Sequence, residues 1–559
     1  MVVEAPEVAA ETPEEGGAEE VAADVALDIA ADLFAPEELL AGPDVVDIRP
    51  QETKPDVYLG PTAEKFVSLT CLSPGVPGAF SEESGALGLE AGDDYGGGVA
   101  VADLDSDGHL DLYVTRFGGT DEIYLTGGRG PVEFQRIVHA VDVQKHTGGQ
   151  RSAYGVDIDH DGDTDIVTTG GLFEIEQNHG NGKFYFAGGV HFLDAQVPAA
   201  TGAFGDVNGD GIIDVLIPGG NAGTPPIGSE KGLPDHLFLG AADFSFTETT
   251  LPTPKAEGPA MAAALVDLDD DGDLDIYVVN DFGMVTLPNQ VYENDGEGHY
   301  TDVSAGSGAA TEVWGMGLAI GDADGDAVLD LYVTTMFPLG DVLLRGLGGL
   351  KYADWSDPSQ SSSITNLSGV SWGAVFIDYD SDADQDLYVA HGFHPTLPPA
   401  DWNPASQPSA LLQNTGGVFS DVAEAVGVGG GAISRSPIVA DLDEDGMPEL
   451  IVGNLGRAPY VYRNHCDASA GAIVVRLIPR DGGRTVLGAR VRVTTASGVL
   501  RRDILSGADG LWGGNPTEAV IGLGAETVAQ EVEVRWPNGE LWTAKDVPAG
   551  TRIELKGQK

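Results

Sequence analysis

DLDSDGHLDLYVT, residues 103–115, is an acidic nonapeptide that runs directly into a β-branched and aromatic segment. Its pattern, D-x-D-x-D-G-x-x-D, returns as DIDHDGDTD from Asp157, DVNGDGIID from Asp206, DLDDDGDLD from Asp267, DADGDAVLD from Asp322, DYDSDADQD from Asp378 and DLDEDGMPE from Asp441. The first aspartates are spaced 54, 49, 61, 55, 56 and 63 residues apart, so seven copies at a near-constant period exclude chance.

Each copy has the chemistry of a calcium loop. Calcium takes six to eight hard oxygen ligands at about 2.3–2.6 Å, and carboxylates at alternate positions of a tight loop point inward together. Side chains at positions 1, 3, 5 and 9 and the carbonyl at position 7 are the expected ligands. In loops 1 and 2 these are Asp103, Asp105, Asp107, His109 and Asp111, then Asp157, Asp159, Asp161, Asp163 and Asp165. Loops 3 and 4 supply Asp206, Asn208, Asp210, Ile212 and Asp214, then Asp267, Asp269, Asp271, Asp273 and Asp275. Loops 5 and 6 supply Asp322, Asp324, Asp326, Val328 and Asp330, then Asp378, Asp380, Asp382, Asp384 and Asp386. Loop 7 supplies Asp441, Asp443, Asp445, Met447 and Glu449, which makes up to seven Ca2+ in all. An isolated copy reads equally well as an acidic turn, but seven clusters of packed carboxylates require a cation or protonation. Ala327 and Ala383 replace the turn glycine, a cost of up to about 1–2 kcal/mol where φ is positive, and mark weaker sites.

An EF-hand closes its loop at position 12 inside a helix. Here the acid at position 9 opens strands such as DLYVT at 111–115, DIYVV at 275–279 and DLYVA at 386–390, so the loop joins two strands of a hairpin. A glycine-rich strand precedes each loop, as in GGGVAVADL at 96–104 and WGAVFIDY at 372–379. Third and fourth strands follow, as in NQVYEN at 289–294 and HYTDVS at 299–304. The expected fold class is therefore all-β: a seven-bladed β-propeller with calcium-binding hairpin loops, followed by a small β-rich C-terminal module.

Charge divides the chain in three. Of 559 residues, 89 are Asp or Glu and 28 Lys or Arg, for a net charge of −61. Residues 1–60 carry −14 and residues 472–559 carry +2, leaving −49 between them. The expected organisation is an acidic, extended linker at 1–62, the propeller at 63–471 and the module at 472–559. A short amphipathic helix near Val21–Leu40 fits the linker's pattern. The acidity repels nucleic acid and anionic membranes, and no run of 18 apolar residues exists to span a bilayer. Two cysteines cannot build a disulfide framework or a cysteine-based zinc site.

The repeats resemble the FG-GAP/VCBS family of calcium-loaded propellers, most closely in QVYENDGEGHYTDVSAGSG at 290–308. The tail resembles the ASPIC/UnbV module in GARVRVTTASG at 488–498, RRDILSGADGLWGG at 501–514, IGLGA at 521–525 and VEVRWPNGE at 532–540. That pairing is the arrangement of the cartilage acidic protein family and its bacterial relatives, and the resemblance covers about 80–559. It implies an extracytoplasmic protein, secreted or surface-anchored, although the sequence carries no export signal.

The seventh repeat lacks an outer strand, and FSEESG at 80–85 matches the missing pattern, so it is expected to close the ring. Cys71 and Cys466 flank that seam as a candidate disulfide, the alternative being two separate buried thiols. Long connections at 221–236, 337–360 and 391–408 are expected on the face opposite the loops, carrying Trp355, Trp402, Phe393, His391 and His394 as ligand-face candidates; they either bind or fold back over the rim. Arg490, Arg492, Arg501 and Arg502 are candidates to dock on the acidic propeller or on a partner, although Arg490 and Arg492, alternating around Val491, read equally well as the solvent face of a strand.

The expected function is a calcium-binding, non-enzymatic recognition or adhesion scaffold, monomeric, for a protein or carbohydrate ligand. The alternative is an enzyme of lyase or oxidoreductase type with its site in the central depression. No nucleophile elbow, HExxH, phosphate loop or redox cysteine pair is present to support it, although propellers assemble sites from separate blades.

Overall fold

The computed structural model describes residues 65–558 apart from 90–91, 93–94, 117–119, 128–133, 139–151, 171–172, 181–182, 190–200, 221–231, 253–257, 337–339, 357–369, 393–406, 467–470 and 508–510. The expected Val21–Leu40 helix lies outside them. The described chain is all-β, with a four-residue helix at Ala423–Val426.

Each acidic loop joins the first two strands of a four-stranded antiparallel meander. The first set is Tyr95–Ala102, Asp111–Arg116, Glu122–Leu125 and Gln135–Val138. The second is Ser152–Val156, Asp165–Thr169, Glu174–Asn178 and Phe184–Gly189, and the third Ala203–Gly205, Asp214–Ile217, His236–Gly240 and Phe246–Thr249. The fourth is Ala260–Val266, Asp275–Asn280, Gln290–Asn294 and Tyr300–Asp302, and the fifth Gly315–Gly321, Asp330–Thr335, Val342–Gly346 and Tyr352–Asp354. The sixth is Ser371–Ile377, Asp386–His391, Ala410–Thr415 and Val418–Asp421. The seventh, Ile433–Ala440, Glu449–Leu455 and Tyr460–Asn464, takes its fourth strand from the other end of the described chain. Phe80–Glu82 pairs with Tyr460–Asn464, Phe80 opposite Asn464.

First and second strands are buried on both faces, which is why they read as near-continuous runs of Val, Leu, Ile, Ala and Tyr. The first strands of sets one and two lie together, as do those of sets three to seven in succession, and the seventh returns to the first. Sets two and three meet through Tyr154 and Phe204, with ring centroids 5.3 Å apart. Cys71 and Cys466 are disulfide-bonded across 395 residues, clasping the seam beside Phe80–Glu82.

The C-terminal module is two four-stranded sheets. One runs Lys65–Ser68, Thr551–Lys556, Ala472–Ile478 and Glu518–Gly522; the other runs Val499–Asp503, Arg490–Thr494, Val528–Arg535 and Leu541–Pro548. Lys65–Ser68 therefore belongs to the module rather than to the repeats, correcting the boundary expected at 63. Its backbone pairs with Thr551–Lys556, and Lys65 is held 2.9 Å from Glu554. The expected insertion at 337–360 is also corrected, because it contains the third and fourth strands of the fifth set. The glycines within GLGG at 346–349 obscure their alternation.

Between the module's strands, residues 504–507 and 511–516 enter the space enclosed by the first strands. Gly513 and Gly514 pair in parallel with Val99 and Ala100, the Ala153 amide donates to the Trp512 carbonyl, and Phe204 bridges to Ser506. Leu505, Leu511 and Trp512 share one buried apolar cluster with Met261, Met316 and Trp372. Leu511 and Trp512 have φ of 31° and 67°, uncommon for bulky residues, so the surrounding packing over-determines this turn.

Candidate functional site: the acidic loop face

All seven loops share one geometry. Position 4 lies at positive φ in every copy: Ser106, His160, Gly209, Asp270, Gly325, Ser381 and Glu444. Position 6 does too, with Ala327 at 65° and Ala383 at 83° in place of glycine. These two reversals turn alternate side chains inward. The position 1 carboxylate accepts the position 6 amide, from 2.7 Å in loop 3 to 3.3 Å in loop 2.

The acid at position 9 pins the loop to its sheet. One oxygen accepts the amide of position 2 and the other an amide at or just after the end of the third strand. For Asp111 these are Leu104 at 2.9 Å and Thr126 at 2.8 Å; for Asp330, Ala323 at 2.8 Å and Gly346 at 2.7 Å. Glu449 does the same with Leu442 and Asn464, so the longer side chain after Pro448 keeps the role.

In loops 1, 2, 4 and 5, three carboxylate oxygens from different residues lie within 4.8 Å of one another: Asp103, Asp105 and Asp107; Asp157, Asp159 and Asp165; Asp267, Asp269 and Asp271; Asp322, Asp324 and Asp330. That is the span of opposite ligands on a calcium ion at about 2.4 Å. In four loops the position 3 Oδ1, on Asp269, Asp324, Asp380 and Asp443, is buried without a hydrogen-bond partner, and so is Oδ1 of Asp378. In loop 7 the other carboxylate oxygen of Asp443 is taken by Arg463 at 2.6 Å, and in loop 5 that of Asp324 by Arg345, leaving Oδ1 directed at the cluster. An orphaned anionic oxygen inside a nest of carboxylates fits a hard cation.

Electrostatics points the same way. Burial, reinforced by neighbouring carboxylates, pushes Asp103, Asp206 and Asp322 up to about 6, Asp378 to about 7 and Asp157 to about 8. At position 9 it carries Asp214 to about 7, Asp111, Asp275 and Asp330 to about 8, and Asp386 to about 9. Asp441 and Glu449 are raised well above the usual carboxylate range.

The C-terminal module sits on this face and touches every loop. Arg476 donates to the Gly108 carbonyl at 2.7 Å, Gly482 to His160 at 2.8 Å and Thr485 to Gly211 at 3.0 Å. Arg490 is buried against Asp267 and Asp270, and Arg492 reaches Asp270 at 2.6 Å. Arg501 donates to Ala327, Gly524 to Ser381, and Glu518 accepts the Asp441 amide. Arg502 is half-buried, close enough to Asp378 and Asp322 for their charges to act on it. The solvated-strand alternative for Arg490 and Arg492 is thus corrected: the module carries the cations because it docks on acid.

Two of the five ligand-face candidates, His391 and Trp355, are described, and each is packed into the fold. His391 is 2% exposed with Nδ1 2.7 Å from the Pro408 carbonyl, and burial holds its ring below the ordinary histidine range. Trp355 follows the fourth strand of the fifth set and packs edge-on against Phe419, correcting its placement on a face loop. Phe393, His394 and Trp402 lie outside the described residues.

Sequence reading missed a repeated asparagine at the end of the third strand. Asn178, Asn294, Asn414 and Asn464 each donate to position 2 of the preceding set's loop: to Leu104, Val207, Ala323 and Tyr379 at 2.7–2.9 Å. Each also donates to position 8 of its own loop at 3.0–3.2 Å. The signal was available in QNHG, ENDG, QNTG and RNHC, which align at that asparagine.

An FG-GAP-like repeat model matches residues 103–168, 157–217 and 267–333, and an ASPIC and UnbV model matches 480–559. Cartilage acidic protein 1 of Homo sapiens is 24% identical over 501 residues, 81% of this chain and 70% of the relative. The Mus musculus protein is 24% identical over 509 residues, 79% and 71% of the two. Among solved structures, an Agrocybe aegerita lectin that recognises non-reducing terminal N-acetylglucosamine is 15% identical, with a TM-score of 0.39 over 64% of this chain and 85% of that one. BBS1N in complex with ARL6DN is 12% identical, with a TM-score of 0.41 over 71% and 99%.

Proposed function

In a chain that joins FG-GAP-like repeats to a C-terminal ASPIC/UnbV domain, with homology to cartilage acidic protein 1, we propose that the seven meanders form one calcium-built, seven-bladed propeller serving as an extracytoplasmic recognition scaffold. The observation that carries the calcium reading is the buried, partnerless position 3 oxygen in loops 4, 5, 6 and 7, each among converging carboxylates. Positions 1, 3, 5 and 9 and the position 7 carbonyl hold the ion. Bound calcium supplies the positive charge that lets these acids remain ionised in a buried setting.

The contact between each set of strands and the next, with the return from the seventh to the first, supports the ring. The Cys71–Cys466 bond supports an oxidising compartment. There calcium reaches the roughly 0.1–1 mM at which extracellular modules fill. The enzyme alternative needs an open central depression. From the loop face, that axis holds Leu505, Leu511 and Trp512. Recognition, with the module as a fixed part of the binding surface, is the reading the geometry favours.

Calorimetric titration of metal-stripped protein tests this reading. Uptake of about five to seven calcium ions with a large rise in melting temperature supports it; uptake of none or one, with no thermal effect, removes it.

A further inference from the structure

The seventh acidic loop differs from the other six. Every residue from 441 to 449 is buried, whereas each other loop keeps positions 3 and 5 half-buried or exposed. Its cover is the stretch of chain between two anchored strands, Lys65–Ser68 in the module's sheet and Phe80–Glu82 in the seventh set.

That stretch lies on the loop itself. A Cβ added to Gly446 would meet Leu69 Cδ1 at 2.7 Å. The Leu72 amide donates to Asp445 Oδ2 at 3.0 Å, and Ser73 Oγ to Asp443 Oδ2 at 3.4 Å. Residues 69–75 therefore hold the outer oxygens of the acids at positions 3 and 5, while Oδ1 of Asp443 stays buried without a partner. The other flank is closed by ion pairs, Glu444 with Arg552 at 2.7 Å and with His109 at 2.8 Å. Cys71 ties the covering stretch to Cys466, two residues beyond the strand Tyr460–Asn464, and Cys466 Sγ lies 2.9 Å from Asp445 Oδ2.

We propose that the Cys71–Cys466 disulfide is a redox latch on the calcium ion of loop 7. In the disulfide form residues 69–75 seal the ion in; reduction frees them and lets it exchange. This rests on the calcium reading above. Without the bond, the cover is held by single hydrogen bonds, which open locally far more readily than a covalent clasp.

The reductant is a dithiol, and burial selects the sulfur it attacks. Cys71 is half-buried and Cys466 is 2% exposed, so the incoming thiolate reaches Cys71 Sγ. A mixed disulfide forms there, the bond to Cys466 breaks, and Cys466 leaves as a thiolate that takes up a proton. The second thiolate of the dithiol then displaces Cys71, which is protonated in turn. Two electrons and two protons pass to the protein, and the dithiol departs as its cyclic disulfide. The coupling is reciprocal: if the bond tightens loop 7 about tenfold, calcium shifts the thiol–disulfide equilibrium toward the bond by the same factor.

The test loads the full disulfide-bonded chain with radiolabelled calcium, adds excess chelator and counts retained ions over time. One ion per chain should leave at least about tenfold more slowly than the rest, and dithiothreitol should speed that ion alone by at least about tenfold. C71S/C466S should release it fast without reductant. D443N, in loop 7, should lack the slow ion, and D380N, in loop 6, should keep it. Saturating calcium should raise about tenfold the ratio of reduced to oxidised dithiothreitol that half-reduces the bond. Release of all ions at one rate from the disulfide form overturns the latch. So does a slow ion that survives dithiothreitol or D443N, or loss of all ions together on reduction. Stoichiometry on the same samples separates the readings: full calcium uptake without a slow ion removes the latch alone, whereas absent uptake removes the calcium scaffold and the latch with it.

Discussion

Asp111 illustrates how the loops work at the residue scale. Its two oxygens accept amides from the loop and from the residue after the third strand, so the side chain proposed to close a calcium site also pins a hairpin to its sheet. Burial and neighbouring acids raise it to about 8, against an ordinary value of 3.8. Asp275 and Asp330 share that shift. A carboxyl raised in the folded state gives stability that is full below its unfolded value and lost as pH climbs through the folded one. Metal-free protein should therefore melt higher at pH 5 than at pH 8.5, and calcium should abolish that loss while releasing protons on binding. Thermal melts across pH, with and without calcium, check the sign. Asp380→Asn, at an orphaned position 3, should lower calcium uptake by about one ion per chain with the other loops intact. Ala327→Gly, relieving φ of 65°, should stabilise the protein by about 0.5–1 kcal/mol and tighten loop 5, read by denaturant unfolding and calcium titration.

At the scale of the element, asparagines and one axial turn join what the meanders leave separate. Asn294 spans the Val207 carbonyl of one loop and the Leu274 carbonyl of the next. Asn294→Ala removes both buried bonds and should cost about 2–3 kcal/mol in denaturant unfolding. Trp512 packs 6.0 Å from Trp372 within a turn at positive φ. Trp512→Ala should cost about 3–5 kcal/mol and raise protease sensitivity of the 504–516 segment. Much of this scale was legible beforehand. The loop nonapeptide, the strand after it and the closing Phe80–Glu82 strand all follow from local pattern, because a half-turn of chain fixes which side chains converge. The asparagine bridge was hidden because its partner carbonyls belong to a neighbouring repeat and carry no sequence signature. The strands at Val342–Gly346 and Tyr352–Asp354 were hidden because glycine breaks the period-2 alternation.

For the whole molecule, charge complementarity organises the assembly. A strongly acidic set of repeats turns its loop face toward a module carrying 12 of the 28 basic residues in residues 472–559, and buried Arg490 and Arg501 meet the loops at close range. The C-terminal arginines were visible as candidates for docking, but docking across all seven loops depends on tertiary geometry that no local pattern encodes. The Cys71–Cys466 bond closes 395 residues; its removal by Cys71→Ser with Cys466→Ser should cost about 2–5 kcal/mol, seen as a lowered unfolding midpoint under non-reducing conditions. Whether calcium holds this assembly together is decided by calorimetric titration of the metal-stripped full chain, with melting temperature followed in parallel. Uptake of about five to seven ions with a large rise in melting temperature is expected; uptake of none or one, with melting unchanged, would overturn the proposed calcium scaffold.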